Sequence, residues 1–236
     1  MQPIPVMENV VQEKTAFSSL LLKVYSWMVL GLGITAVVSM GIEFGLPGLR
    51  RVIIENIFVF YGLLFLELAL VWILSAAINR IPSVFAVLIF MAYAVLNGIT
   101  FSVIFIFFNL GSIFLTFMVT AGMFAGTSLL GFITKMDLSK MGSFLMMALI
   151  GLILASVANL FLNASGLEWI ICLAGVVIFV GLTAWDTQKI KRWSQSSDDS
   201  SSEESNKTSI MGALMLYLDF INLFLFLLRL LGRARD

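Results

Sequence analysis

Seven stretches of this chain are mostly apolar and reach the length of about 20 residues that a helix needs to cross the hydrocarbon core of a bilayer. They run roughly over residues 20–42, 53–78, 84–107, 112–134, 141–162, 169–191 and 210–231. Lipid offers no hydrogen bonds to a backbone, so runs of this length must satisfy their own peptide groups as helices. The expectation is an all-α integral membrane protein with seven transmembrane helices. Composition agrees, because only 12% of the residues are charged and the mean hydropathy is +1.04, whereas soluble domains are about 25% charged. Lys plus Arg and Asp plus Glu balance at 14 each. Net charge therefore points to no nucleic acid, and the partner implied by composition is the lipid bilayer.

Turn formers and charges mark the connections at 46–51, 79–82, 109–111, 135–140 and 163–166, where the backbone meets water. Residues 1–18 read as an N-terminal cytoplasmic tail, and 19–232 as the membrane domain. The first apolar run is long enough to span and is expected to remain as a helix rather than be removed. Within the domain, 194–208 begins SQSSDDSSSEES, which has nothing to bury and reads as a flexible acidic linker between spans six and seven. Its acids lack the spacing and central glycine of an EF-hand. Trp169 and Trp193 bracket span six as interfacial anchors.

Orientation follows the bias of Lys and Arg toward the cytoplasm. With the N-terminus inside, the inner loops collect Lys14, Lys23, Arg80, Lys135, Lys140, Lys189, Lys191, Arg192 and Lys207, and the outer loops hold only Arg50 and Arg51. Seven spans then place Arg229, Arg233 and Arg235 outside, against the same bias. A re-entrant last segment would remove that conflict, but a spanning one fits the apolar length better.

The chain has no histidine, which excludes His-based triads, HExxH zinc sites and imidazole relays. Its single cysteine, Cys172, lies in an apolar run, so no intrachain disulfide forms and a small buried side chain is expected. Acid–base chemistry falls to carboxylates. Asp186 and Asp219 sit within spans six and seven, where an ionisable group costs about 2.5–3.5 kcal/mol to insert and marks a functional site by default.

Residues three, four or seven apart share a helix face. Span seven then presents Gly212, Asp219, Asn222 and Phe226 on one stripe, and span six presents Cys172, Phe179, Thr183 and Asp186. At 1.5 Å per residue Asp219 lies about 13 Å inward of Ile210, and Asp186 about 8 Å inward of Lys191. Antiparallel spans bring the two acids within about a turn of each other. If they share a site, a proton is held between them and the pair responds to pH. Alternatively Asp186 pairs with Lys189 and Asp219 takes a structural hydrogen bond. Glu67, with Glu55 in span two, either extends an acidic cation path or hydrogen-bonds to a neighbouring helix. Asn97, Thr100, Thr116, Thr120, Thr127, Ser156 and Asn159 read as contacts between helices, and Gly122 with Gly126 as a close-packing GxxxG pair.

Four stretches carry a resemblance: LNGITF at 96–101, the run from Phe124 to Phe161 containing TKMDLSKMG, Leu182–Lys191 with WDTQKI, and LYLDFINLFLFLLRLLG from Leu216 to Gly232. Together they resemble the Bax inhibitor-1 (TMBIM) family, its bacterial YccA-like branch above all. The N-terminal third resembles it only in general character, and the acidic linker is longer than that branch usually has. The resemblance implies a seven-helix bundle with a central C-terminal helix, a bacterial inner membrane, and a pH-sensitive Ca2+ leak. It further implies that Asp186 and Asp219 form a di-aspartyl sensor. Arg80 matches the arginine that captures the span-six aspartate in the closed state, although it reads equally as an interfacial anchor. No cofactor is implied and no stably bound metal; Ca2+ passes near Asp186 and Asp219, with Glu67 and Asn222 as candidate path residues.

Two other functions compete. Some relatives are thought to restrain a membrane-bound protease or another membrane protein, for which residues 1–17 and the linker would be the contact surfaces. An intramembrane aspartyl protease also pairs aspartates on adjacent spans. The surroundings here, Ala184-Trp185-Asp186 and Tyr217-Leu218-Asp219, lack the YD and GxGD motifs of such enzymes, so the expectation is that the protein is not an enzyme.

Overall fold

A computed structural model describes residues 5–195 and 202–233, with side chains from residue 19 onward. The helices are α1 (Pro5–Gly45), α2 (Pro47–Glu55), α3 (Ile57–Ala77), α4 (Ser83–Phe101), α5 (Ile104–Phe107), α6 (Leu110–Ile133), α7 (Ser139–Leu162), α8 (Ser165–Gln195) and α9 (Ser202–Leu231). Seven segments are long and apolar enough to span: α1 from Ser19, α3, α4 with α5, α6, α7, α8 and α9. The chain is an all-α integral membrane protein. The C-terminal helix is the most enclosed, with 67% of the apolar window of α9 buried against 6% in α3.

Asparagines set several of the boundaries. Asn56 Oδ1 accepts from Phe58 N at 3.1 Å and Val59 N at 3.3 Å, satisfying donors that a helix start leaves open. Span two therefore begins at Ile57, and Glu55 is not inside it as its sequence position suggested. Glu55 ends the short helix α2, where it pairs with Arg51 at 2.6 Å on an exposed surface. Pro47 starts α2, since the first turn needs no N–H from it, and Arg50 pairs with Glu43. Asn109 caps α6 through Ser112 N at 2.8 Å. Asn163 closes α7 at φ 47°, a left-handed conformation that asparagine tolerates.

Two compact units divide the chain. The first comprises residues up to Ile106 together with Ile190–Leu214; the second comprises Phe107–Lys189 and the residues from Met215 onward. In the first, α1 and α4 meet closely: Thr35 Oγ1 donates to Ala94 O at 2.9 Å. A Cβ on Gly98 would stand 2.7 Å from Val38 Cβ and 2.9 Å from Thr35 O. The start of α9 is tied down in this unit, because the Glu203 carboxylate accepts from Ser83 N at 2.6 Å and Ser83 Oγ at 2.7 Å. The expected linker is thus shorter than read: Ser194 and Gln195 end α8, and 202–208 form the first turns of α9. Glu203 and Glu204 lie in the first turn of α9, where the helix dipole favours acids. Residues 196–201 of that segment lie outside the described residues. The tail expected over 1–18 is helical from Pro5.

In the second unit α7, α8 and α9 share a core that includes Leu145, Leu152, Ile171, Phe179, Leu182, Leu223 and Leu227. Helix α6 buries Ser112, Thr116, Thr120, Phe124, Ser128 and Gly131. Phe117 and Phe124 meet Phe220 of α9 edge-on at 5.4 and 5.5 Å between centroids, a preferred geometry for aromatic pairs. The Gly122 and Gly126 pair does not pack closely: nothing lies within 4 Å of a Cβ at either. Each is two residues from Phe124, about 200° round the helix from its buried face. Thr120, Thr127 and Ser156 likewise donate to carbonyls four residues back in their own helices rather than across to neighbours.

Gly98→Ala is expected to lower the thermal stability of the purified protein by about 1–3 kcal/mol, as overpacking does. Gly33→Ala, where a Cβ meets nothing within 4 Å, should leave it unchanged or raised. Equal melting in detergent of both variants would contradict the α1–α4 contact.

Candidate functional site

The stripe of α9 predicted from spacing divides at the boundary between the units. Gly212 packs in the first unit, with a Cβ there 3.1 Å from Val24 Cγ2. Asp219, Asn222 and Phe226 line a cavity of 1070 Å³ in the second unit. Phe179, Leu182 and Asp186 line it from α8, and Leu149, Leu152 and Ser156 from α7. The cavity therefore brings Asp186 and Asp219 together with Asn222. Thr183 instead donates to Phe179 O at 2.7 Å, and Cys172 is buried and free.

Both aspartates are deeply covered, Asp186 at 7% and Asp219 at 4% exposure. Asp186 Oδ1 and Asp219 Oδ2 are the buried side-chain polar atoms, among the described residues, that have no hydrogen-bond partner. Buried polar atoms are paired in the great majority of cases, so two exceptions in one cavity call for an explanation. Two carboxylates that share a cavity repel each other when both are ionised, and a pair so coupled titrates as one electrostatic unit. Lys189 Nζ lies over the Trp185 ring, 5.2 Å from its centroid. Asn222 Nδ2 donates to Leu218 O at 2.8 Å.

At its far end the cavity is lined by Glu168 of α8 and Arg229 of α9, neither of which was expected at the site. Both continue the stripes already recognised. Arg229 follows Asp219, Asn222 and Phe226 at steps of three and four, and Glu168 precedes Ile171, Phe179, Leu182 and Asp186 on the same face of α8. Asp186 lies 18 residues beyond Glu168, about 27 Å along the helix. The cavity runs from the depth of the aspartates to the start of α8.

Glu67 and Arg80 belong to the first unit. Glu67 Oε1 accepts from Thr100 Oγ1 at 2.6 Å, which is the hydrogen bond to a neighbouring helix that its position allowed. Arg80 lies exposed in the turn after α3.

Removing one carboxylate tests the electrostatic unit. In alkaline buffer, Asp186→Asn relieves like-charge repulsion between two buried acids and should raise stability by about 1–3 kcal/mol, the scale of an unsatisfied buried group. In acid buffer, where protons already neutralise the pair, the gain should shrink. A melting temperature that is lowered, or raised equally at both extremes, would contradict it.

Comparison with known proteins places these features in a family. The family model described as Inhibitor of apoptosis-promoting Bax1 matches residues 17–236. The inner membrane protein YbhL of Escherichia coli K12 is 43% identical over 235 residues, covering 100% of both chains. A protein of Borreliella burgdorferi is 41% identical over 233 residues, covering 98% of this chain and 100% of its own; one of Deinococcus radiodurans is 40% identical over 220 residues, covering 91% and 90%. The likeness thus extends through the N-terminal third, where residue patterns alone had shown only general character. The chain belongs to the Bax inhibitor-1 family.

Proposed function

We propose that this protein is a pH-sensitive leak channel for Ca2+, gated by protonation of Asp186 and Asp219. The observation that carries the reading is the pair of buried carboxylate oxygens without hydrogen-bond partners in one cavity. An acid kept for structure has its lone pairs filled by donors. An acid left open in a membrane span, beside a second one, is suited to take up a proton or a passing cation. The number of protons on the pair sets the charge of the cavity and with it the attraction for a cation. Hard oxygen ligands suit Ca2+, which enters this reading as the permeating ion and not as a cofactor.

The rest of the assignment follows the same lines. Asn222 belongs to the path beside Asp219. The bacterial inner membrane is the location, as the name of YbhL states for that relative, with the N-terminus in the cytoplasm by the Lys and Arg bias. The pair acts as a sensor and not as a protease dyad, since the motifs of intramembrane aspartyl proteases are missing around both acids.

Proteoliposomes loaded with Ca2+ and a fluorescent indicator provide the test. Native protein should release Ca2+ at a rate that depends on pH, and Asp219→Asn should alter that dependence. No release at any pH would remove the channel reading, and an unaltered profile in the variant would remove the sensor role.

A further inference from the structure

The residues flanking Asp186 on α8 are each held by a different neighbour within the second unit. The backbone of Ala184 abuts Gly131 of α6, and the Trp185 indole lies against Gly142 of α7, so that a Cβ at either glycine would overlap it. Thr187 Oγ1 and Ser128 Oγ of α6 are hydrogen-bonded at 2.9 Å. Gln188, only 7% exposed, uses both ends of its amide: Nε2 donates to Met136 O at 2.7 Å, and Oε1 accepts from Leu138 N at 2.9 Å. It thereby grips the connection between α6 and α7 by the backbone.

These contacts fix a rotation. At about 100° per residue, Ala184 and Gln188 point within about 40° of each other, with Thr187 on the same side, while Asp186 points about 200° away from Gln188. Holding the first three against α6 and its connection aims Asp186 at the opposite side, into the cavity that Asp219 lines. A glutamine suits this place because the connection offers one carbonyl and one N–H, and only an amide of that length supplies a donor and an acceptor together.

We propose that Gln188 is the positioning residue of the aspartate pair: its two-ended hold on the α6–α7 connection sets the rotation of α8 that turns Asp186 toward Asp219. This rests on the reading of the pair as a pH sensor. The ionisable groups beside Asp186 are Asp219 of α9, in the same cavity lining, and Lys189, three residues on along its own helix. Helix α7 contributes none to the cavity lining, and Glu168 and Arg229 lie at the far end. A change in the aim of Asp186 therefore acts chiefly on its relation to Asp219.

Gln188→Met keeps the length of the side chain and removes both hydrogen bonds. In Ca2+-loaded proteoliposomes the pH of half-maximal efflux should shift by about one unit, a tenfold change in proton affinity. Hydrogen exchange should rise in 134–138 and in 184–188. If the methionine variant does not reconstitute, Gln188→Asn, whose amide falls one methylene short, is read in the same way. An unshifted efflux profile with faster exchange at 134–138 would overturn the proposal, because the grip would then be structural only. If native protein shows no pH-dependent efflux, the channel reading fails separately. Infrared titration of the carboxylic-acid carbonyls then decides: a titration displaced in Gln188→Met upholds the positioning role, and an unmoved one overturns it.

Discussion

A bilayer supplies no hydrogen-bond partner, so each polar group placed in it must find one in the protein or remain costly. Most of this structure is arranged to meet that demand. Asparagines at 56, 109 and 163 sit at helix ends, and Thr120, Thr127 and Ser156 return their hydroxyl protons to their own helices. Glu67, an acid within span two, takes a hydrogen bond from Thr100. Asp186 and Asp219 depart from the pattern, each with an oxygen left open in the same cavity. At about 2.5–3.5 kcal/mol for inserting such a group, a chain of marginal stability does not keep two of them for packing.

Helix α8 turns that departure into a defined geometry. Its contacts alternate around the axis: Ala184 and Thr187 meet α6, Trp185 meets α7, Gln188 holds the connection between them, and Asp186 takes the side left over, facing the cavity. Side chains that are small or doubly hydrogen-bonded let the helices approach closely, so α8 has little freedom to turn. The carboxylate is aimed through the helix that carries it.

Much of this was legible from residues. The seven spans follow from apolar length, and the joint appearance of Asp186, Asp219 and Asn222 in one cavity follows from helical spacing and depth. Glu168 and Arg229 were missed only because the stripes were not continued to the helix ends. Other features depend on tertiary partners that no spacing reveals. The break at Asn56, which takes Glu55 out of span two, depends on a side chain turning to its own backbone. The helical start of α9 depends on Ser83, 120 residues away from Glu203. The GxxxG pair at Gly122 misled because the motif specifies small residues, not the direction they face, whereas Gly131 makes the close approach.

If Asp186 and Asp219 form one protonation site, each acid responds to the charge of the other. Infrared titration of the reconstituted protein, following the carboxylic-acid carbonyl absorption, measures this directly. Coupling predicts that Asp186→Asn displaces the titration of the acid that remains, and that Asp219→Asn does the same in return. Two bands that titrate independently, each unmoved by loss of the other aspartate, would contradict the account.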